Sequence, residues 1–117
     1  MRLSVILPAS NEEGWIGPCL DALLASAPVP GGAEVIVVAN GCRDGTVAKA
    51  QARAGAAAAA AWGFRVLEQE TGSKLQALNT GDAAATGSVR CYLDADVQVA
   101  PGLMAALAEA LDGAAPR

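Results

Sequence analysis

Four short apolar runs constrain the fold of this chain more than any other feature of its sequence. They occupy residues 3–7, 35–38, 64–67 and 89–93. The first two consist almost entirely of Val, Ile and Leu, a pattern typical of strands buried on both faces of a parallel sheet. We expect the first strand to end at Pro8, since proline has no backbone N–H to donate.

Helical patterns fill the segments between these runs. Apolar residues recur at spacings of three and four over residues 15–24, which indicates an amphipathic helix. Alternating strands and helices predict an α/β fold: a three-layer, Rossmann-like, mostly parallel sheet with helices on both faces, formed by residues 1–117 as one domain. Three more helices are predicted, starting at Asp44 or Thr46 and running toward Ala61, at Lys74 after a Ser73 cap and running to about Ala85, and around Pro101.

Composition excludes several kinds of function. The chain has 117 residues and a formal charge of −4, which argues against nucleic acid or an anionic membrane surface as its main partner. It has no histidine, so an imidazole base and a histidine-ligated zinc site are excluded. The three cysteines are widely spaced and odd in number, which predicts reduced thiols in a cytoplasmic protein. No apolar run approaches the roughly 18 residues that a membrane-spanning helix needs, so no membrane segment is expected in this chain.

A pair of carboxylates directly follows the fourth apolar run, which we also expect to form a buried strand. In an extended backbone alternate side chains share a face, so Asp94 and Asp96 are predicted to point the same way. Two carboxylates so close repel each other unless a cation lies between them. Mg²⁺ and Mn²⁺ prefer oxygen ligands and commonly share them with substrate phosphates. The pattern therefore predicts a divalent metal site at this end of the sheet.

Three further polar motifs follow strands or begin helices, and each also has an ordinary structural interpretation. Residues 8–13 carry Asn11, which can cap a helix, and two glutamates that favour its amino terminus. Residues 40–46 contain two glycines and could form a simple turn with a cap. Lys74 begins a helix and can either meet a phosphate or lie in solvent. Neither a P-loop nor a Gly-x-Gly-x-x-Gly fingerprint occurs in the chain.

In their order and local sequence these motifs resemble glycosyltransferase family 2, whose nucleotide-binding half has the GT-A fold. The resemblance spans residues 3 to about 108, and it implies an incomplete GT-A domain that binds a nucleotide-diphosphate sugar and transfers the sugar, with inversion, to an unknown acceptor. The matching segments are residues 4–13, 34–41, 44–46, 74 with 77–81, and 92–96.

The resemblance also implies roles for individual residues. Pro8, Ala9 and Glu12 would line the donor nucleotide site, and Asn40 falls at or next to an acid that holds the base. Asp94 and Asp96 match the family's Asp-x-Asp motif, which implies Mg²⁺ or Mn²⁺ bound by Asp96 and Asp94, with Asp94 also directed toward the ribose. Lys74 would help to stabilise the departing phosphate. The chain departs from the family at Asn40, where a carboxylate is missing, and at Ser10, where an aromatic residue is common.

No residue of this chain is predicted to be the catalytic base, which the family places beyond the Asp-x-Asp motif. The acids that follow, Glu109 and Asp112, fall on a helix expected to lie away from the site. The chain therefore reads as a donor-binding portion that lacks the acceptor-binding part, and a longer form could associate with a membrane. Two alternatives stay open: a truncated or non-catalytic nucleotide-sugar-binding module and, less well supported, a nucleotidyltransferase.

Overall fold

The four predicted strands form one parallel sheet, in the order β3-β2-β1-β4. The computed structural model describes residues 2–70 and 73–111, so Asp112, which was predicted to lie on the last helix, is outside the described residues. The strands are β1 (Leu3–Ala9), β2 (Ala33–Asn40), β3 (Trp62–Gln69) and β4 (Val89–Tyr92). The helices are α1 (Ile16–Leu24), α2 (Thr46–Gln51), α3 (Ala54–Ala59), α4 (Lys74–Ala84) and α5 (Leu103–Leu111).

Helices cover both faces of the sheet, which confirms the three-layer α/β prediction. On one face, the side chains of alternate β1 and β2 residues join apolar residues of α1 and α5 in the larger part of the core. On the other face, Ile36 and Val38 of β2 pack against Ala77 of α4. Within the described residues, no helix has both the length and the apolar character needed to cross a bilayer.

Pro8 lies inside β1 rather than at its end, so the predicted end of the first strand is wrong. The strand continues to Ala9 because β1 keeps pairing with β2 through Pro8 and Ala9. On its other side the Leu93 N–H donates to the Ile6 carbonyl at 2.9 Å. The next bond of a parallel ladder would require an N–H from Pro8, which proline lacks. The missing donor ends the pairing with β4 at this point and lets the chain turn away.

The predicted helix from residue 44 or 46 to residue 61 is also wrong as one element. It consists of α2 and α3, separated at Ala52 and Arg53. Arg53 leaves the helical path, and its guanidinium donates to the Asp21 carboxylate on α1 at 3.0 and 3.1 Å. The break directs α3 toward β3, where Ala57 is buried.

Two other boundaries differ from the sequence-based expectation. Pro101 precedes α5 instead of lying in its first turn, and its carbonyl accepts the Ala27 N–H at 2.8 Å. Strand β4 was expected to be buried, but it is an edge strand whose side chains alternate between buried and exposed. Val89 faces the core, while Tyr92 is exposed because α4 covers only part of that face of the sheet.

Candidate functional site

A cleft of about 460 Å³ opens at the carboxyl ends of β1, β2 and β4, beside the amino terminus of α4. Its size lies in the range of small-molecule sites, and its position is the usual one for ligands of parallel sheets. Every site residue predicted from the sequence lines it. The lining residues are Pro8, Ala9, Ser10, Glu12, Asn40, Lys74, Ala77, Asp94, Ala95 and Asp96.

Asp94 and Asp96 reach the cleft from a turn, so the prediction that an extended backbone aligns them is wrong. The strand ends at Tyr92, and the Val97 N–H donates to the Asp94 carbonyl at 3.1 Å. Both carboxylates are nevertheless exposed, because the residues on the opposite side of the turn, Leu93 and Ala95, are buried in the core. Apolar burial therefore turns the carboxylates outward, as the alternating pattern in the sequence indicates.

A buried thiol supports this turn from below. The Cys19 Sγ lies 3.8 Å from the Asp94 carbonyl oxygen. Burial, followed by the negative charge of Asp96, raises the pKa of the Cys19 thiol to about 12. Cys19 is therefore neutral at physiological pH and acts as a packing residue beneath the turn.

Lys74 crosses the cleft to the carboxylate pair. Its Nζ lies 2.6 Å from the Asp94 Oδ1. Ser73 positions it at the first residue of α4 through the predicted cap: the Ser73 hydroxyl accepts the Gln76 N–H, and the Gln76 side chain accepts the Ser73 N–H, each at 3.2 Å. The hydrogen bond with Asp94, together with the charges of Asp94 and Asp96, raises the pKa of Lys74. Lys74 is therefore paired with a carboxylate at the cleft, while its side chain stays 62% exposed.

The loop after β1 and the loop after β2 are joined by side chains that bind backbone groups. Asn11 has a positive φ of 52°, and its carboxamide oxygen accepts the Arg43 N–H at 2.8 Å. The Glu13 carboxylate accepts the Gly45 N–H at 2.7 Å, while the Glu13 N–H donates to the Asp44 carboxylate at 3.2 Å. We call this set of contacts between residues 10–14 and 41–46 the loop clasp.

Thr46 completes the loop clasp and links it to the cleft. This fully buried side chain accepts the Glu12 N–H at 2.8 Å and donates its hydroxyl to the Asp44 carboxylate. Hydrogen bonds from Thr46 and from the Glu13 N–H, against the opposing effect of partial burial, lower the pKa of Asp44. Asp44 and Thr46 therefore act as turn-forming residues, in line with the structural interpretation of this motif.

Asn11 does not cap α1, which corrects the structural interpretation of the first motif. That helix starts at Ile16 with Trp15 in the cap position, and both of their N–H groups bind the Glu12 carbonyl at 2.8 and 2.9 Å. Asn11 bonds to the other loop instead. No local pattern could have revealed this, because Asn11 and its partner Arg43 are 32 residues apart.

Asn40, at the floor of the cleft, rests on two residues that sequence reasoning missed. Asn40 is only 8% exposed, and its Oδ1 accepts the Gln69 side-chain N–H at 3.3 Å. The Thr80 hydroxyl on α4 donates in turn to the Gln69 carboxamide oxygen at 2.8 Å. Gln69 is the register partner of Asn40 in the sheet, so a prediction of the β2–β3 pairing could have found it.

The acidic side chains of the cleft fit a divalent cation that is also bound by a ligand. They do not form a site in which protein atoms supply every metal ligand. Asp94 and Asp96 provide hard oxygen atoms, as Mg²⁺ and Mn²⁺ require. In the described part of the chain, no group of three or more His, Cys, Asp or Glu residues could hold a metal ion. The remaining ligand positions would therefore fall to substrate oxygens and water. Glu109 is exposed on α5 and does not line the cleft.

Comparisons with known proteins agree with this architecture. The family model described as "Glycosyl transferase family 2" matches residues 4–115. The glycosyltransferase AglE of Haloferax volcanii is 35% identical over 94 residues, which are 80% of this chain and 30% of AglE. This chain thus spans about a third of the length of that relative.

Two solved structures share the fold, which confirms the GT-A type. TarS of S. aureus, residues 1–349 in complex with UDP, superposes with a TM-score of 0.85 at 23% identity, and the match covers 96% of this chain and 32% of that 1–349 chain. The mannosyltransferase PcManGT of Pyrobaculum calidifontis, in complex with GDP-Man and Mn²⁺, has a TM-score of 0.80 at 29% identity. The match covers 96% of this chain and 33% of PcManGT.

Proposed function

The chain belongs to glycosyl transferase family 2, and on that premise we propose that its cleft binds a nucleotide-diphosphate sugar together with Mg²⁺ or Mn²⁺. The observation that carries this proposal is the convergence of Lys74, Asp94 and Asp96 on one cleft at the carboxyl ends of the strands. A cation and two carboxylates at one site suit a diphosphate that is bound through a metal ion. The nucleotide would lie toward Pro8, Ala9, Glu12 and Asn40, on the β1 and β2 side of the cleft.

Charge supports the need for a metal ion. Among the described residues that line the cleft, three carboxylates face one ammonium, a formal charge of −2. A diphosphate would be repelled from such a site unless a cation offset that charge. When bound, a divalent ion would act as a Lewis acid that stabilises negative charge on the departing diphosphate. Lys74 would supply a second positive charge from the start of α4.

The structural relatives support the same class of ligand. PcManGT was solved with GDP-Man and Mn²⁺, and TarS with UDP. The nucleotides of these two structures carry different bases. At or next to the position where the family has an acid that holds the base, this chain has Asn40, whose amide can donate and accept hydrogen bonds. We therefore propose nucleotide-diphosphate sugars as the donor class and leave uridine and guanosine donors as the two arms of the test.

Glycosyl transfer, with inversion, is the reaction that family membership supports. The transfer needs a base, and Glu109, the described acid that follows the Asp-x-Asp motif, is exposed on α5 outside the cleft. This observation favours a second candidate, a truncated or non-catalytic nucleotide-sugar-binding module; the chain spans 30% of the length of AglE. The three free cysteines agree with the proposed cytoplasmic location.

A nucleotidyltransferase is less well supported. Such an enzyme would need a basic, glycine-rich loop after the first strand to bind phosphates. Here that loop carries Asn11, Glu12 and Glu13, and Asn11 and Glu13 bind backbone groups of the loop after β2. Its polar side chains therefore hold the loop clasp together.

Calorimetric titration tests the proposal. UDP, UDP-GlcNAc, GDP and GDP-Man are titrated into the chain with and without Mn²⁺, and we expect saturable binding that requires the metal. Asp96→Ala should abolish it, whereas Glu109→Gln, which also removes a carboxylate but lies outside the cleft, should bind as the wild type does. Equal binding without metal, or no binding of any donor, would contradict the proposal. Release of UDP or GDP from a sugar donor by the chain alone would rule out the non-catalytic candidate.

A further inference from the structure

Lys74 and Asp94 form an ion pair with each other in the cleft. In the proposed donor complex, Lys74 would instead face the diphosphate and Asp94 the metal ion. The Lys74 Nζ is 2.6 Å from the Asp94 Oδ1, within a strong charged hydrogen bond. Lys74 stands at the first residue of α4, where the Ser73 cap fixes the backbone, so its side chain reaches Asp94 from a defined origin. The ammonium therefore pairs with a carboxylate assigned to the metal site.

We propose that this pair is a counter-ion latch: Lys74 holds Asp94 while the cleft is empty, and an incoming diphosphate draws the ammonium away and opens Asp94 to the divalent ion. The inference rests on the proposed function, since it concerns how metal and nucleotide share the same cleft. It makes Lys74 the residue through which the binding of one ligand favours the binding of the other.

Coulombic competition explains the exchange. An ammonium 2.6 Å from the Asp94 Oδ1 opposes the binding of a metal ion to the same carboxylate, because the two cations repel each other at such short range. A diphosphate carries more negative charge than a single carboxylate and so competes well for the ammonium. A lysine side chain is ordinarily protonated at neutral pH, so the ammonium can pair with Asp94 or with the diphosphate.

Exposure makes the pair easy to open. The Lys74 and Asp94 side chains are 62% and 59% exposed, so water screens their attraction and can solvate each group once they separate. A buried pair would lock the site, since breaking it would leave a charge without compensation. An exposed pair instead lowers the affinity of the site for the metal ion by a modest factor. Coupling free energies between two binding sites are typically small as well.

Simple repulsion by a nearby lysine predicts a different outcome from the latch. A positive charge that stays in place weakens metal binding equally with and without nucleotide, so it leaves unchanged the factor by which nucleotide tightens metal binding. The latch acts on the nucleotide-free state alone, because the diphosphate removes Lys74 from Asp94. Only the latch therefore makes part of that coupling factor depend on Lys74.

The experiment measures Mn²⁺ affinity by electron paramagnetic resonance, at fixed ionic strength, with and without saturating UDP or GDP. The wild type is compared with Lys74→Met, with Lys74→Gln as a second variant, and circular dichroism verifies that each is folded. Arg43→Met serves as the matched control, because it also removes a positive charge but from the neighbouring cleft of about 310 Å³.

We expect Mn²⁺ alone to bind both Lys74 variants about two- to fivefold more tightly than the wild type. The coupling factor should fall by about the same amount in these variants and stay at the wild-type value in Arg43→Met. Nucleotide binding with an unchanged coupling factor in the Lys74 variants would overturn the latch and leave the donor site intact. Absence of UDP and GDP binding to the wild type would overturn the proposed function and, with it, the latch.

Discussion

Gly81 sets how closely α4 approaches the sheet, and replacing it tests that packing. A Cβ atom at this position would lie 2.5 Å from the Ile6 Cγ2 and 3.3 Å from the Val38 Cγ2. Favourable contacts between carbon atoms need about 3.5–4.0 Å, so the added methyl group requires a shift of roughly 1 Å. Both neighbours are fully buried, and a β-branched side chain in a strand has few other rotamers to adopt.

Two opposing effects decide the magnitude. Alanine in a helix is favoured over glycine by about 1 kcal/mol. Overpacking of a well-packed core costs about 1–3 kcal/mol, and a shift of this size belongs in the upper part of that range. We therefore expect Gly81→Ala to lower the free energy of unfolding by about 1–2 kcal/mol, in spite of its better helix propensity.

Gly55 offers the matched control, because it lies in α3 with nothing within 4 Å of its hypothetical Cβ. There only the propensity acts, so Gly55→Ala should raise the free energy of unfolding by about 0.5–1 kcal/mol. Urea unfolding, followed by circular dichroism with a common slope, gives both values. If Gly81→Ala were as stabilising as Gly55→Ala, α4 would not be in close contact with β1 and the packing argument would be refuted.

Two further predictions concern the opposite end of the sheet. Arg90→Ala should lower the free energy of unfolding by about 1–2 kcal/mol, because the guanidinium donates to the Gly87 carbonyl in the loop after α4 and to the carbonyl and carboxylate of Asp82 on α4. Arg90→Lys should show a smaller loss of stability in the same urea titration, and an Ala variant as stable as the wild type would contradict this prediction. For the buried Glu34, burial alone would raise the pKa, but hydrogen bonds from Ser4 and Thr86 lower it below its ordinary value of 4.5. Its ionised form therefore stabilises the fold fully above pH 4.5, and this contribution is lost as the pH falls through the folded-state pKa. Unfolding free energies from pH 7 to pH 3 should fall less steeply for Glu34→Gln than for the wild type, and equal slopes would count against this account.

Sequence patterns were sufficient to predict the strands whose structure is controlled by burial alone. The runs at residues 35–38 and 3–7 predict strands correctly because a strand covered on both faces presents mostly apolar side chains to the two helix layers. The prediction that β4 is a buried strand was wrong, because this segment does not consist of apolar residues alone. Arg90 and Tyr92 alternate with core residues, which is the pattern of a half-exposed strand.

The resemblance to glycosyltransferase family 2 implied the site residues, on motifs at strand ends and at one helix start, and all of these residues line one cleft. Parallel topology guarantees this grouping, because the carboxyl ends of the strands meet at the same edge of the sheet. The turn at Asp94 was not predicted because it depends on Pro8 of β1, the neighbour of β4 in the sheet, which cannot donate the next hydrogen bond to β4. A proline was visible in the sequence, but its partner strand was not.

The sequence by itself determined the order of strands and helices, the burial of the core and the set of polar residues at the strand ends, because these follow from local periodicity and chain direction. Only the tertiary structure decided that Lys74 pairs with Asp94, that Asn11 binds the backbone of Arg43, and that Gln69 supports Asn40. These partners are 20 to 32 residues apart. Hydrogen bonds and ion pairs act over about 3 Å, so they form only where packing has already brought distant loops together.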